Sequence, residues 1–306
     1  MGLLSSPWCF EFPPLIHAKD PGFCFLSRRC ASSSLPSSTS LKRWNFCLQK
    51  KRYIVGCSKV EVKEELDIEA CELVNGSELT IGEGSDRINA LFFSAVKNNN
   101  GVGILLLSDI FGLEDSYNRD FAYRVACNGY NVLVPDLFRG DPWSRDRSED
   151  LLKPWLAKQE PERVANDIAT STKWMVDEFK AAGSDKKLGL IGFCYGGARI
   201  LELLAIDKKS TFGTGVSFYG YRMDEAAAQN VKVPVLLITG SNDPFVPVKE
   251  VNEVGNVLGS ESRVVVFEGR GHGFVHRPQT PEEDDDADKA FMIMRNWLSD
   301  RLLNKN

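Results

Sequence analysis

The chain has 306 residues, 43% of them hydrophobic and 26% charged, so it can bury a sizeable core in one large domain or two small ones. Its apolar runs, such as residues 104–107 and 235–238, fall far short of the roughly 20 residues of a bilayer-spanning helix, and no membrane partner is expected. Residues 1–57 hold eight Lys and Arg against two acids, leaving 29 of the 37 basic and 40 of the 42 acidic residues to the rest, a body acidic enough to repel phosphate backbones and exclude a nucleic-acid partner.

In chain order, the first segment, residues 1–57, is rich in Ser, basic, nearly free of acids and without hydrophobic periodicity. That composition predicts a disordered transit peptide. Pro13, Pro14 and Lys19 interrupt the apolar stretch a secretory signal would need, and Val55-Gly56-Cys57 resembles a plastid cleavage site. The expected location is the plastid stroma, with mitochondrion or cytosol as alternatives. Five of the eight cysteines fall in this leader. The other three, Cys71, Cys127 and Cys194, show no CxxC spacing, so neither a disulfide framework nor a zinc ribbon is indicated.

Residues 58–306 read as one α/β domain. Short apolar runs at 88–96, 103–108, 131–135, 187–191, 213–218, 234–239 and 263–267 have the Val, Ile, Leu and Phe content of strands buried on both faces. Between them, 119–128, 161–182, 196–206, 247–258 and 288–303 predict helices, several ended by Gly or opened by Pro. Alternating β and α units predict a mostly parallel central sheet with helices on both faces. Residues 140–160, a polar stretch containing Pro142, Trp143, Pro154 and Trp155, break the rhythm and are expected to lie over a strand end as a loop or lid. The acidic run 282–286 is read as a solvated face complementing the N-terminus of the final helix rather than a calcium site.

The chemistry concentrates behind these strands. Ile191-Gly192-Phe193-Cys194-Tyr195-Gly196-Gly197 has the strand, tight turn and helix of a nucleophile elbow, with glycines where side chains would collide. Cysteine stands at its centre, at a helix N-terminus whose dipole favours a thiolate. Of three histidines, His17 is in the leader, which leaves His272 and His276. His272, in the small-residue loop Gly269-Arg270-Gly271-His272-Gly273-Phe274, is the better base; Gly273 and Pro278 argue against the helix that an HxxxH metal pair would need. Asp243, behind the strand at 234–239, is the acid falling between nucleophile and histidine. The backbone N–H groups of Tyr195 and Ile110 are the candidates for an oxyanion hole.

Together with Ser108-Asp109-Ile110-Phe111-Gly112, Val134-Pro135-Asp136-Leu137-Phe138, Phe218-Tyr219-Gly220 and Asn242-Asp243, the cysteine elbow and the His272-Gly273-Phe274 loop resemble the dienelactone hydrolase (carboxymethylenebutenolidase) family from about residue 88 to the C-terminus. The resemblance implies an α/β-hydrolase fold with about eight strands, and a Cys194–Asp243–His272 triad. It further implies hydrolysis of a small-molecule lactone or ester through an acyl-enzyme, without cofactor or metal. It puts Asp109 where bacterial members have a glutamate that helps activate the cysteine, and places Tyr219, His276 and Arg277 in the activation or substrate pocket. A second carboxylate-binding arginine is implied within 140–160, Arg145 or Arg147. A monomer is expected, with a homodimer as the alternative. Three competing readings of the same scaffold are a general carboxylesterase or thioesterase, a non-catalytic small-molecule receptor, and a redox-sensing thiol at Cys194.

Overall fold

The computed structural model describes residues 74–304. The expected transit peptide lies outside the described residues, as does the first part of the predicted 58–306 domain. Eight strands form one sheet: β1 (Val74–Ile81), β2 (Ile88–Ala95), β3 (Gly103–Leu107), β4 (Asn131–Pro135), β5 (Leu188–Phe193), β6 (Phe212–Phe218), β7 (Val235–Gly240) and β8 (Arg263–Phe267). Their order across the sheet is β1-β2-β4-β3-β5-β6-β7-β8. The β1–β2 and β2–β4 pairs are antiparallel and every other pair is parallel.

Every residue of β3, β4, β5 and β7 is buried, as parallel strands covered on both faces must be. The cover comes from α1 (Ser116–Cys127), α2 (Leu152–Ala157), α3 (Pro161–Ala181), α4 (Tyr195–Ile206), α5 (Glu225–Ala228), α6 (Val248–Leu258) and α7 (Pro281–Leu302). No helix among the described residues is long and apolar enough to cross a membrane. All seven expected strands are present, with ends shifted by at most two residues.

β1 was not among the expected strands. Its burial alternates only loosely, and polar Asn75, Ser77, Glu78 and Thr80 interrupt its apolar residues. As an edge strand it needs only one neighbour, and it pairs with β2 along its whole length, from Val74 opposite Ala95 to Ile81 opposite Ile88. The 140–160 segment is not all loop, since it contains α2. The final helix begins at Pro281, seven residues earlier than expected, so the acidic run lies inside its first turns. The reason is a reciprocal cap. Thr280 accepts from the Glu283 N–H at 3.2 Å, and the Glu283 carboxylate accepts from the Gln279 N–H at 2.7 Å.

The sheet order also fixes where a site can form. From β3 the chain crosses to β4 on one side, and from β5 it crosses to β6 on the other. Two adjacent parallel strands thus send their following loops apart at their carboxyl ends, and the crevice between them is the topological switch point.

Candidate active site

Cys194 occupies that switch point, between β5 and α4, with φ 47° and ψ −108°. A left-handed backbone at a residue with a Cβ costs about 1–3 kcal/mol and needs outside support. The support is visible. The Cys194 N–H donates to the Phe218 carbonyl at 3.0 Å, while its own carbonyl accepts from Ala198 at 3.1 Å and Tyr221 at 3.0 Å. The glycines are the steric condition for this turn. A Cβ on Gly192 would lie 2.5 Å from the Gly196 carbonyl oxygen, and one on Gly196 would lie 2.3 Å from that of Leu107. On Gly197 it would meet Ser217 Oγ at 2.9 Å. Gly196 N–H also donates to the Ser108 carbonyl at 3.2 Å, tying the elbow to the loop after β3.

Asp243 and His272 come together because β7 and β8 are parallel neighbours whose carboxyl ends are stitched together. Asn242 N–H donates to the Arg270 carbonyl at 2.9 Å, and a Cβ on Gly240 would lie 2.1 Å from that same oxygen. The Asp243 side chain is fully buried. Its Oδ1 accepts from the N–H groups of Phe245 at 2.8 Å and Val246 at 3.1 Å, which leaves Oδ2 to hold His272 Nδ1 at 2.7 Å. The imidazole packs beside Tyr219, ring centroids 4.9 Å apart, and against the edge of Phe245 at 5.2 Å. Burial disfavours its charged form. The negative charge of the Cys194 thiolate and hydrogen bonds to Asp243 and Cys194 outweigh that, raising the His272 pKa to about 10. The structure therefore joins His272 to Asp243 by a hydrogen bond and sets Cys194 close enough for its charge to act on the same imidazole.

Beside the elbow lie two backbone donors. Neither the Tyr195 nor the Ile110 N–H donates to a backbone acceptor among the described residues. The Ile110 loop is held by a turn, Gly112 N–H to Asp109 carbonyl at 3.1 Å, with Gly112 at φ 77°. The 140–160 segment covers this end of the site. Trp143 N–H donates to the Ile110 carbonyl at 2.8 Å, Trp155 packs on Trp143 and Phe138, and Phe138 packs on Tyr195. Within the segment, Arg147 pairs with Asp141, whereas exposed Arg145 lies over the Phe111 ring at 5.2 Å.

Asp109 and Arg277 are bonded to each other. Asp109 is buried, and its two oxygens accept from Phe111 N–H, Asn118 Nδ2, His276 Nε2, and Arg277 Nε and Nη2, at 2.7 to 3.1 Å. Burial alone would raise its pKa, but the His276 hydrogen bond and the Arg277 charge outweigh it and hold the carboxyl far below the usual range. Arg277, itself buried, also bridges to both oxygens of Asp115 at 2.8 and 3.1 Å and lies against Phe111 and Tyr117. Its guanidinium is thus engaged by two carboxylates of the chain itself. Tyr219 and His276 are buried beside the site and hydrogen-bonded to each other. Sequence reasoning missed Asp115, Asn118 and Phe245. An Asp-Ser start signal at residue 115 would have extended α1 backward over the first two: the Asp115 side chain caps it, accepting from Tyr117 and Asn118 N–H.

Comparison with known proteins adds the following. The family model described as "Dienelactone hydrolase family" matches residues 88–302. The human carboxymethylenebutenolidase homolog is 32% identical over 207 residues, 65% of this chain and 82% of that protein. Its Xenopus tropicalis counterpart is 30% identical over 203 residues, covering 64% and 80%. Among solved structures, a putative dienelactone hydrolase from Klebsiella pneumoniae superposes with a TM-score of 0.63 at 22% identity, over 73% of this chain and 98% of that one.

Proposed function

The chain belongs to the dienelactone hydrolase family, hydrolases that act on ester bonds, and on that premise we propose that it opens a lactone or cleaves a carboxylic ester through a thiol acyl-enzyme. Cys194 is the nucleophile, His272 the general acid and base, and Asp243 the group that orients the imidazole. The observation carrying this reading is the raised His272 pKa, to about 10, between a cysteine in a strained left-handed turn and a fully buried carboxylate. Near neutral pH that imidazole rests protonated beside the Cys194 sulfur, ready to donate a proton.

In the first half-reaction the Cys194 thiolate adds to the ester carbonyl carbon. The oxygen takes up the negative charge beside the Tyr195 and Ile110 N–H groups, which have no competing backbone acceptor. As the carbon–oxygen bond breaks, His272 gives its Nε2 proton to the leaving oxygen. In a lactone that oxygen remains attached to the acyl chain. Water then adds to the thioester, His272 takes its proton, the carbon–sulfur bond breaks and the carboxylic acid leaves. These steps use only groups of this chain and water.

The test is turnover of a dienelactone and of a p-nitrophenyl acyl ester by wild type and Cys194→Ala. Loss of turnover by about a thousandfold or more in the variant supports the reading. If only the simple ester is cleaved through Cys194, the triad stands and the substrate class is general esterase. If neither is cleaved by folded wild type, or the variant keeps full activity, the reading fails.

A further inference from the structure

A second aspartate–histidine–hydroxyl chain runs behind the first, and the reaction as written makes no use of it. We propose that Tyr219 is a positioning residue for His272, locked in place by a buried relay through His276 to Asp109; this rests on His272 being the acid–base group.

Each proton in the relay has one place to go. Asp109 is ionised and accepts from all its neighbours, so the proton it shares with His276 belongs to His276 Nε2, 2.9 Å away. His276 is 6% exposed and its ring stacks on Phe193 with centroids 4.2 Å apart. Burial pushes its pKa down against the pull of Asp109, so the ring carries a single proton. With Nε2–H committed to Asp109, Nδ1 is an acceptor. The group facing it at 2.5 Å is the Tyr219 hydroxyl, which must therefore donate. Burial raises the Tyr219 pKa well above its ordinary value, so that donor persists through the working pH range.

The arrangement has the residue order of a catalytic triad but not its use. Tyr219 is 1% exposed and its proton points to His276, so it is no nucleophile. What it touches defines its role. Its ring lies 4.9 Å from that of His272. Its backbone is left-handed, φ 38°, and pinned by an N–H bond to the Ile238 carbonyl at 2.7 Å. The residue before it accepts the Cys194 N–H, and the second residue after it donates to the Cys194 carbonyl. One side chain thus walls the imidazole while its flanks hold the nucleophile. A phenylalanine would fill nearly the same space. The hydroxyl, the second imidazole and the buried carboxylate add direction, as satisfied buried networks do by fixing one geometry. The relay also reaches the loop that carries the Ile110 N–H, since Asp109 is its neighbour. A misplacement of about 1 Å among reacting groups can cost a hundredfold in rate.

The experiment uses full-length enzyme with Tyr219→Phe, His276→Phe and the double variant, assayed on a p-nitrophenyl acyl ester beside Cys194→Ala. Each single variant is expected to lower kcat by about tenfold or more with KM within about twofold, and the double to be no worse than the poorer single. Folded single variants with wild-type kcat, or losses that multiply in the double, overturn the proposal. A second measurement needs no variant: imidazole ¹⁵N shifts of the wild type at neutral pH should show His276 protonated at Nε2 only. The opposite tautomer, or two protons on the ring at that pH, also overturns it. If wild type shows no Cys194-dependent turnover, the hydrolase reading fails, while the ¹⁵N shifts still decide the relay.

Discussion

His272 sets the alkaline behaviour of the site. Its pKa is raised to about 10, against an ordinary imidazole value of 6.5, by the charges and hydrogen bonds of Cys194 and Asp243. On the proposed mechanism the protonated ring is the general acid, so kcat/KM should fall as pH rises through about 10 and the imidazolium is lost. Asp243→Asn removes one of the charges that raise this pKa and turns an acceptor-only partner into an amide. The alkaline limb of the profile should then move to lower pH, and kcat should drop. An unmoved limb in the folded variant would mean that Asp243 does not tune His272. At this scale the sequence was informative because order and spacing restrict the choices: few histidines, one cysteine in an elbow, one aspartate behind the right strand. It was uninformative about Asp109 and Arg277, whose partners lie up to 168 positions away in the chain.

At the scale of the element, the β5–α4 turn shows how a motif becomes geometry. Gly192, Gly196 and Gly197 stand where a Cβ would overlap the backbone of the opposing turn, the carboxyl end of β3, and the end of β6. Gly196→Ala puts a methyl 2.3 Å from the Leu107 carbonyl oxygen, and the obstacle is main chain of a fully buried strand that cannot step aside. The expected loss is about 2–3 kcal/mol or more, read as a lowered urea midpoint with little change in slope. A variant as stable as wild type would show that β3 yields. The parallel strands were legible because burial on both faces writes them as unbroken apolar runs. β1 was not, since a one-neighbour edge strand can carry Asn75, Ser77, Glu78 and Thr80. The start of α7 was obscured by the acidic run, which looks like loop until Thr280 and Glu283 are seen to cap it.

Across the whole molecule, Arg277 joins the loop after β8 to the loop after β3 and to the N-terminus of α1. Its side chain is 8% exposed and that of Asp109 is 5% exposed, so removing the cation leaves a buried carboxylate without its charge partner. Breaking such a pair costs about 3–5 kcal/mol. Arg277→Met should therefore lower thermal stability markedly, while the ratio of KM values for a carboxylate-bearing and a neutral ester stays near that of wild type. A KM rise confined to the carboxylate-bearing ester would instead make Arg277 a substrate ligand. The sequence by itself determined the α/β class, the switch-point elbow and the three residues proposed as a triad, because these follow from local periodicity, steric need for glycine and order along the chain. Only the tertiary structure decided which charges neutralise one another, because those contacts depend on strands brought side by side across long stretches of chain. The sequence already favoured His272 over His276; burial against Phe193 and Asp109 makes His276 an internal strut, while Asp243 and the neighbouring Cys194 suit His272 to the acid–base role proposed for it.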